Sequence, residues 1–129
     1  MNIGMMSTWG QHCGVFGYTQ QLVDSLKEVG HEVFTFGNYP YGRRTGDVAM
    51  RECFGTGFQP KEAWKIDVQG ISSLISIRGI KVFHLQYQDY LYPDKTGLNT
   101  LLDVLKLKGV KIVVTQHDSC ISPNIDWGK

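Results

Sequence analysis

The sequence predicts an α/β domain built on a parallel sheet, and three observations predict it. Short apolar or β-branched runs alternate with amphipathic stretches along the chain. The amphipathic stretches repeat their apolar residues every three or four positions, the helical period. A glycine follows each of them, directly before the next apolar run, where a helix C-cap belongs.

The elements follow in order. Ile3 to Met6 is a short apolar run that reads as the first strand. A glycine-rich segment comes next, with Gly10, Gly14 and Gly17. From about Tyr18 to Val29 the positions Leu22, Val23, Leu26 and Val29 form a helical stripe, with Asp24, Lys27 and Glu28 on the other face. Gly30 ends it, and residues 32–36 (Glu-Val-Phe-Thr-Phe) read as a second strand. Strand, glycine loop, helix and strand make a βαβ unit. Between Gly37 and Lys65 the pattern is weakest; Asp47 to Cys53 is a candidate third strand within it. Near Asp67 a second helical stripe begins, with Ile71, Leu74 and Ile75, closed by Arg78-Gly79. Ile80 to Gln86 is a strand, Leu98 to Lys108 the clearest helix, and Val110 to Thr115 a β-branched strand of the buried parallel kind.

Right-handed crossovers make such strands parallel. The expected architecture is a single domain over residues 1–129, a Rossmann-like doubly wound sheet of about five strands in the order 3-2-1-4-5. Ligands of such sheets bind beyond the carboxyl ends of the strands, at the switch point. Three segments arrive there: the glycine loop, the region of Tyr87, and His117.

Composition narrows the function. Of the residues, 42% are hydrophobic and 19% charged, which excludes a disordered chain. The net charge of +1 carries no electrostatic footprint for nucleic acid or an anionic membrane. No apolar run is long enough for a transmembrane helix, and the first residues lack the pattern of a signal peptide. Cys13, Cys53 and Cys120 are odd in number and widely spaced, so a reduced, cytoplasmic chain is expected. There is no CxxC pair, and His12, Cys13, His117 and Cys120 are unevenly spaced, so no metal is expected.

Three groups of residues carry candidate chemistry. The glycine loop reads GxxxGxxG over Gly10, Gly14 and Gly17, where backbone N–H groups and a helix N-terminus favour an anion. The same glycines also serve a tight turn and close helix–sheet packing. The spacing misses the dinucleotide fingerprint GxGxxG, and Thr35 to Asn38 supply no acid for a ribose, so NAD is not expected. His117 falls just past a strand, where it either closes the strand or serves a ligand as hydrogen-bond donor, acid or base. His84 and Gln86 share one strand face by period two; His84 reads as a satisfied buried histidine, whereas Gln86, Tyr87 and Gln88 lie nearer the ligand end. The tyrosines Tyr87, Tyr90 and Tyr92 suit either stacking on a sugar or packing a loop. No GxSxG elbow is present, and Asp118 and Asp126 do not identify themselves as a carboxylate pair.

Three blocks then resemble a known family. Cys13 to Thr19 with Leu22, Leu26 and Gly30-His31-Glu32-Val33 resembles the opening of GT-B glycosyltransferases, closest to family 4, whose first helix runs into "GHEV". Val82 to Tyr87 resembles their "VxHxQ" strand, and Val113 to Asp118 their "VVTxHD" segment. The blocks come in the right order and span nearly the whole chain. The resemblance implies the N-terminal, acceptor-side domain of a retaining transferase that uses a nucleotide-activated sugar and a glycan or other hydroxyl acceptor, without a metal or other cofactor. It implies that Gly14 and Gly17 line the cleft near the diphosphate, that His117 contacts the transferred sugar as the catalytic residue, and that Gln86 and Tyr87 border the acceptor. Asp118, beside His117, is assigned to the substrate with it. The sequence ends at Lys129 without the family's second, donor-binding Rossmann domain or its Glu-rich motif. The expectation is therefore a truncated, incomplete half that turns over only with a second domain or a partner chain. The alternatives are a carbohydrate-binding or scaffold remnant without turnover, and an unrelated small Rossmann-like enzyme.

Overall fold

The computed structural model of the chain describes residues 1–7, 14–37, 66–88, 92 and 94–117. Four strands and three helices alternate: β1 (Asn2–Met6), α1 (Gly14–Glu28), β2 (Glu32–Phe36), α2 (Val68–Ile77), β3 (Val82–Tyr87), α3 (Lys95–Leu107) and β4 (Lys111–Gln116). All four strands are parallel, in the order β2-β1-β3-β4. The α/β class and the parallel sheet are as expected. Among the described residues there are four strands where about five were expected, and they stand as 2-1-4-5 in the numbering of the expected order 3-2-1-4-5. The candidate strand at Asp47 to Cys53, the outermost of that order, lies outside the described residues.

The helices fall on both faces of the sheet for a topological reason. From β1 the chain crosses to β2 on one side, and from β3 to β4 on the other. Right-handed crossovers in opposite directions place their helices on opposite faces. Accordingly α1 packs through Val23, with Leu22 and Leu26, on Met5 and Val33. On the opposite face α2 (Ile71, Ile75) and α3 (Leu98, Leu101, Leu102, Leu105) cover Met6, Phe36, Phe83, Leu85 and Tyr87. Register explains the split. Ile3↔Val33 and Met5↔Thr35 share the α1 side, while Gly4↔Phe34 and Met6↔Phe36 share the other.

Gly4 belongs to the packing of that second face. The rings of Phe36 and Phe83, 5.8 Å apart, meet over it. A Cβ on Gly4 would lie 3.1 Å from the Phe83 ring and 3.2 Å from the Phe36 ring. A side chain in the central strand would push this aromatic pair apart.

All three helices end by the same closure. Gly30, Gly79 and Gly109 have φ of +100°, +61° and +77°, the left-handed region that glycine enters without strain. The N–H of the residue after each glycine returns to the helix: His31 to Leu26 O, Ile80 to Ile75 O and Val110 to Leu105 O. This is the Schellman closure. Ile80 and Val110 therefore belong to the caps, buried against the core, and β3 and β4 start after the expected Ile80 and Val110. At the other end, Asp67 caps α2 by accepting from Gly70 N, and Asp94 caps α3 by accepting from Gly97 N. The second oxygen of Asp94 accepts from Ile66 N, which ties the entrance of α3 to that of α2.

Candidate functional site

The site is built at the carboxyl ends of β1, β3 and β4. β1 continues one residue past Met6, because Ser7 N donates to Phe36 O at 3.0 Å. The buried Ser7 hydroxyl meets that of Thr19 in α1 at 2.9 Å, which ties the strand end to the helix above it. β4 continues in the same way: His117 N donates to Tyr87 O at 2.8 Å.

The pleat then decides which side chains meet. His84 pairs with Val113 and Gln86 with Thr115, so these four share the α1 side of the sheet. His117 extends the alternation of Val113 and Thr115. Two diagonal hydrogen bonds join the strands: His84 Nε2 to Thr115 Oγ1 at 2.7 Å, and His117 Nε2 to Gln86 Oε1 at 2.8 Å. Tyr18 from α1 presents its ring at 79° to the His117 imidazole, with centroids 5.1 Å apart, an edge-to-face contact. Burial, and then the neighbouring His117, hold the His84 pKa below its ordinary 6.5, because each penalises a charge on His84. The result is a row of hydrogen-bonding groups that is held in place and neutral at His84.

The expected site residues divide. His117 and Gln86 are brought together. Gly14 is the first residue of α1, and Gly17 lies within its first turns rather than in a loop, because the helix starts at Gly14 and not near Tyr18. Space is open where a Gly17 side chain would stand. Tyr87 points to the other face. It is fully buried there, stacked on Tyr92 at 5.5 Å and 10°, with the Lys95 ammonium 5.6 Å from its ring. Tyr92 in turn donates to Gln86 O. These two tyrosines pack the core. Asp118, Gly10, His12, Cys13 and Tyr90 lie outside the described residues. Gln86 itself is fully buried, so its side chain touches His117 and Met5 rather than a solvent-filled cleft. His84 is the satisfied histidine that its mid-strand place implied.

Sequence reasoning assigned no role to Tyr18 or Thr115. Period two alone places Thr115 and His117 on one face, so the signal for Thr115 was present. The signal for Tyr18 was its place in the first turns of α1, beside the carboxyl end of the sheet. Among the described residues, no group of three or more His, Cys, Asp or Glu stands close enough to hold a metal ion. Among them also, no helix is long and apolar enough to cross a membrane.

A scan against models of known protein families finds no match to the chain, and a search of curated proteins finds no significant relative. The fold and the site define an α/β protein with a parallel sheet and a polar cluster at the carboxyl end of its strands.

Proposed function

We infer that this chain is the acceptor-side half of a retaining glycosyltransferase of the GT-B kind, similar to family 4. One observation carries the reading. The three separate blocks that resemble the family each contribute one side chain to a cluster centred on His117 of the third: Tyr18 from the first packs against its ring, and Gln86 from the second is hydrogen-bonded to it. Those blocks are far apart in sequence, and parallel topology brings them to one place.

On this reading the sheet is part of a Rossmann-like unit, the N-terminal half of a two-domain enzyme. The nucleotide is gripped by a second Rossmann domain, in the same chain or a partner chain. The glycines at the start of α1 allow the donor diphosphate to approach the helix N-terminus, where anions are favoured. His117 meets the transferred sugar. Its ring is fixed by Gln86 and Tyr18 before any ligand arrives, so no reorganisation is needed when charge develops on the sugar. The reading includes a cytoplasmic protein, a nucleotide sugar as substrate, a hydroxyl acceptor and no metal.

The test is hydrolysis or transfer from a panel of nucleotide sugars. It is run with the purified chain alone and then with a donor-binding Rossmann partner. Turnover in at least one format, lost in His117→Ala, is the expected result. That substitution leaves the buried Gln86 oxygen without its partner and costs about 1–3 kcal/mol. The variant is therefore checked for folding by circular dichroism. Absence of turnover in both formats, or full activity in a folded His117→Ala, overturns the reading in favour of a sugar-binding or scaffold role.

A further inference from the structure

The family resemblance implies a place for Gln86 beside the acceptor, yet its side chain is fully buried. Both ends of its amide are engaged. Nε2 donates to Met5 Sδ at 3.4 Å, and Oε1 faces His117 Nε2 at 2.8 Å. Turning the amide over would set its oxygen against the thioether sulfur of Met5, itself fully buried, which has no hydrogen to give. A buried carbonyl without a donor is disfavoured, so the oxygen stays on His117. An amide oxygen only accepts. His117 Nε2 must therefore carry the hydrogen, and in the neutral ring the lone pair then sits on Nδ1. The ring has little freedom to escape this choice. Its backbone is bonded to Tyr87 O, and Tyr18 packs edge-on against it.

We propose that Gln86 is a positioning residue that acts through His117, holding its imidazole in the Nε2–H tautomer so that Nδ1 is the ring atom that gains a proton. Two strands and the first helix thus set the chemistry of one imidazole. A sulfur in the central strand orients an amide in the next strand, and that amide sets the proton on the histidine beyond it. The proposal stands on this geometry and not on the transferase reading. Its readout is the imidazole itself, so it survives or fails independently of turnover.

The experiment is long-range proton–nitrogen correlation spectroscopy of the isotope-labelled full chain, followed across pH, in the wild type, Gln86→Glu and Gln86→Leu. In the wild type, His117 is expected as the Nε2–H form alone when neutral. Gln86→Glu keeps an acceptor in the same place and adds a negative charge, so the tautomer is retained and His117 titrates at higher pH. Gln86→Leu removes the acceptor, and the Nδ1–H fraction rises toward that of free histidine. A merely structural glutamine would produce neither change. An Nδ1–H fraction in the wild type as large as in free histidine overturns the proposal. So does a folded Gln86→Leu with the His117 pattern unchanged. If Gln86→Leu does not fold, the wild-type tautomer and the Gln86→Glu titration decide.

Discussion

The two faces of the sheet are built from the same four strands but to different ends. The α2–α3 side is apolar from β2 to β4, with Phe36, Met6, Phe83, Leu85 and Tyr87 buried beneath two helices. The α1 side is apolar only over β2 and β1, around Met5 and Val33. Over β3 and β4 it turns to His84, Gln86, Thr115 and His117, and Val113 between them is 38% exposed. One face contributes stability through burial. The other holds hydrogen-bonding groups in fixed relation at the end of the sheet where ligands bind in this architecture.

The comparison is broken most severely from the apolar side. Phe83→Ala empties the middle of the larger core and is expected to cost about 3–5 kcal/mol, read as a lower urea midpoint. His117 and Gln86 sit on the strands this core supports, so their contacts should be lost in the same transition. Separate transitions for the two faces would show that they are independent. Gly4→Ala probes the same face by overfilling. Its Cβ would press on both phenylalanine rings, and the expected loss is about 1–3 kcal/mol. No loss would mean that the aromatic pair has room to move.

Acid sharpens the comparison from the polar side. His84 has a lowered pKa in the folded state, so the unfolded chain binds more protons as the pH falls through 6.5. Stability must then decline with acidification, and the decline stops only below the folded pKa. Urea midpoints measured across this range should fall in the wild type and fall less steeply in His84→Gln. A stability independent of pH would contradict the burial of a neutral His84. The smallest effect expected is a gain. Gly17 lies within a helix with open space around its missing side chain, so Gly17→Ala should add about 0.5–1 kcal/mol. If the glycine serves a ligand instead, the same variant binds nucleotide sugar less tightly while melting higher.

Much of this fold can be read from the residues alone. Glu32 to Phe36 forms β2 to the residue, and the Leu98, Leu101, Leu102, Leu105 stripe is buried as its period implies. The boundaries are harder, and each has a physical cause. Gly14 and Gly17 suggest a loop by propensity, yet the helix includes both of them. Asp94, four residues before the first leucine of the stripe, starts α3 at Lys95 through a cap whose partner is the N–H of Gly97. Ile80 and Val110 look like strand residues but complete helix closures. At the site, neighbours in sequence are not neighbours in space. Gln86 and Tyr87 are consecutive, and the pleat sends them to opposite faces, one beside His117 and one into the core. The diagonal pairing of β3 with β4 depends on strand register, which no local pattern encodes.

The most direct test of the central claim is to map where a nucleotide sugar and a simple oligosaccharide acceptor bind. Backbone and imidazole resonances of the full chain would be followed during titration with each. The account predicts shifts centred on Tyr18, Gln86 and His117, at the carboxyl ends of β3 and β4 and the start of α1. Shifts centred on the opposite end of the sheet, around Gly79 and Gly109, or no shifts with either probe, would contradict it.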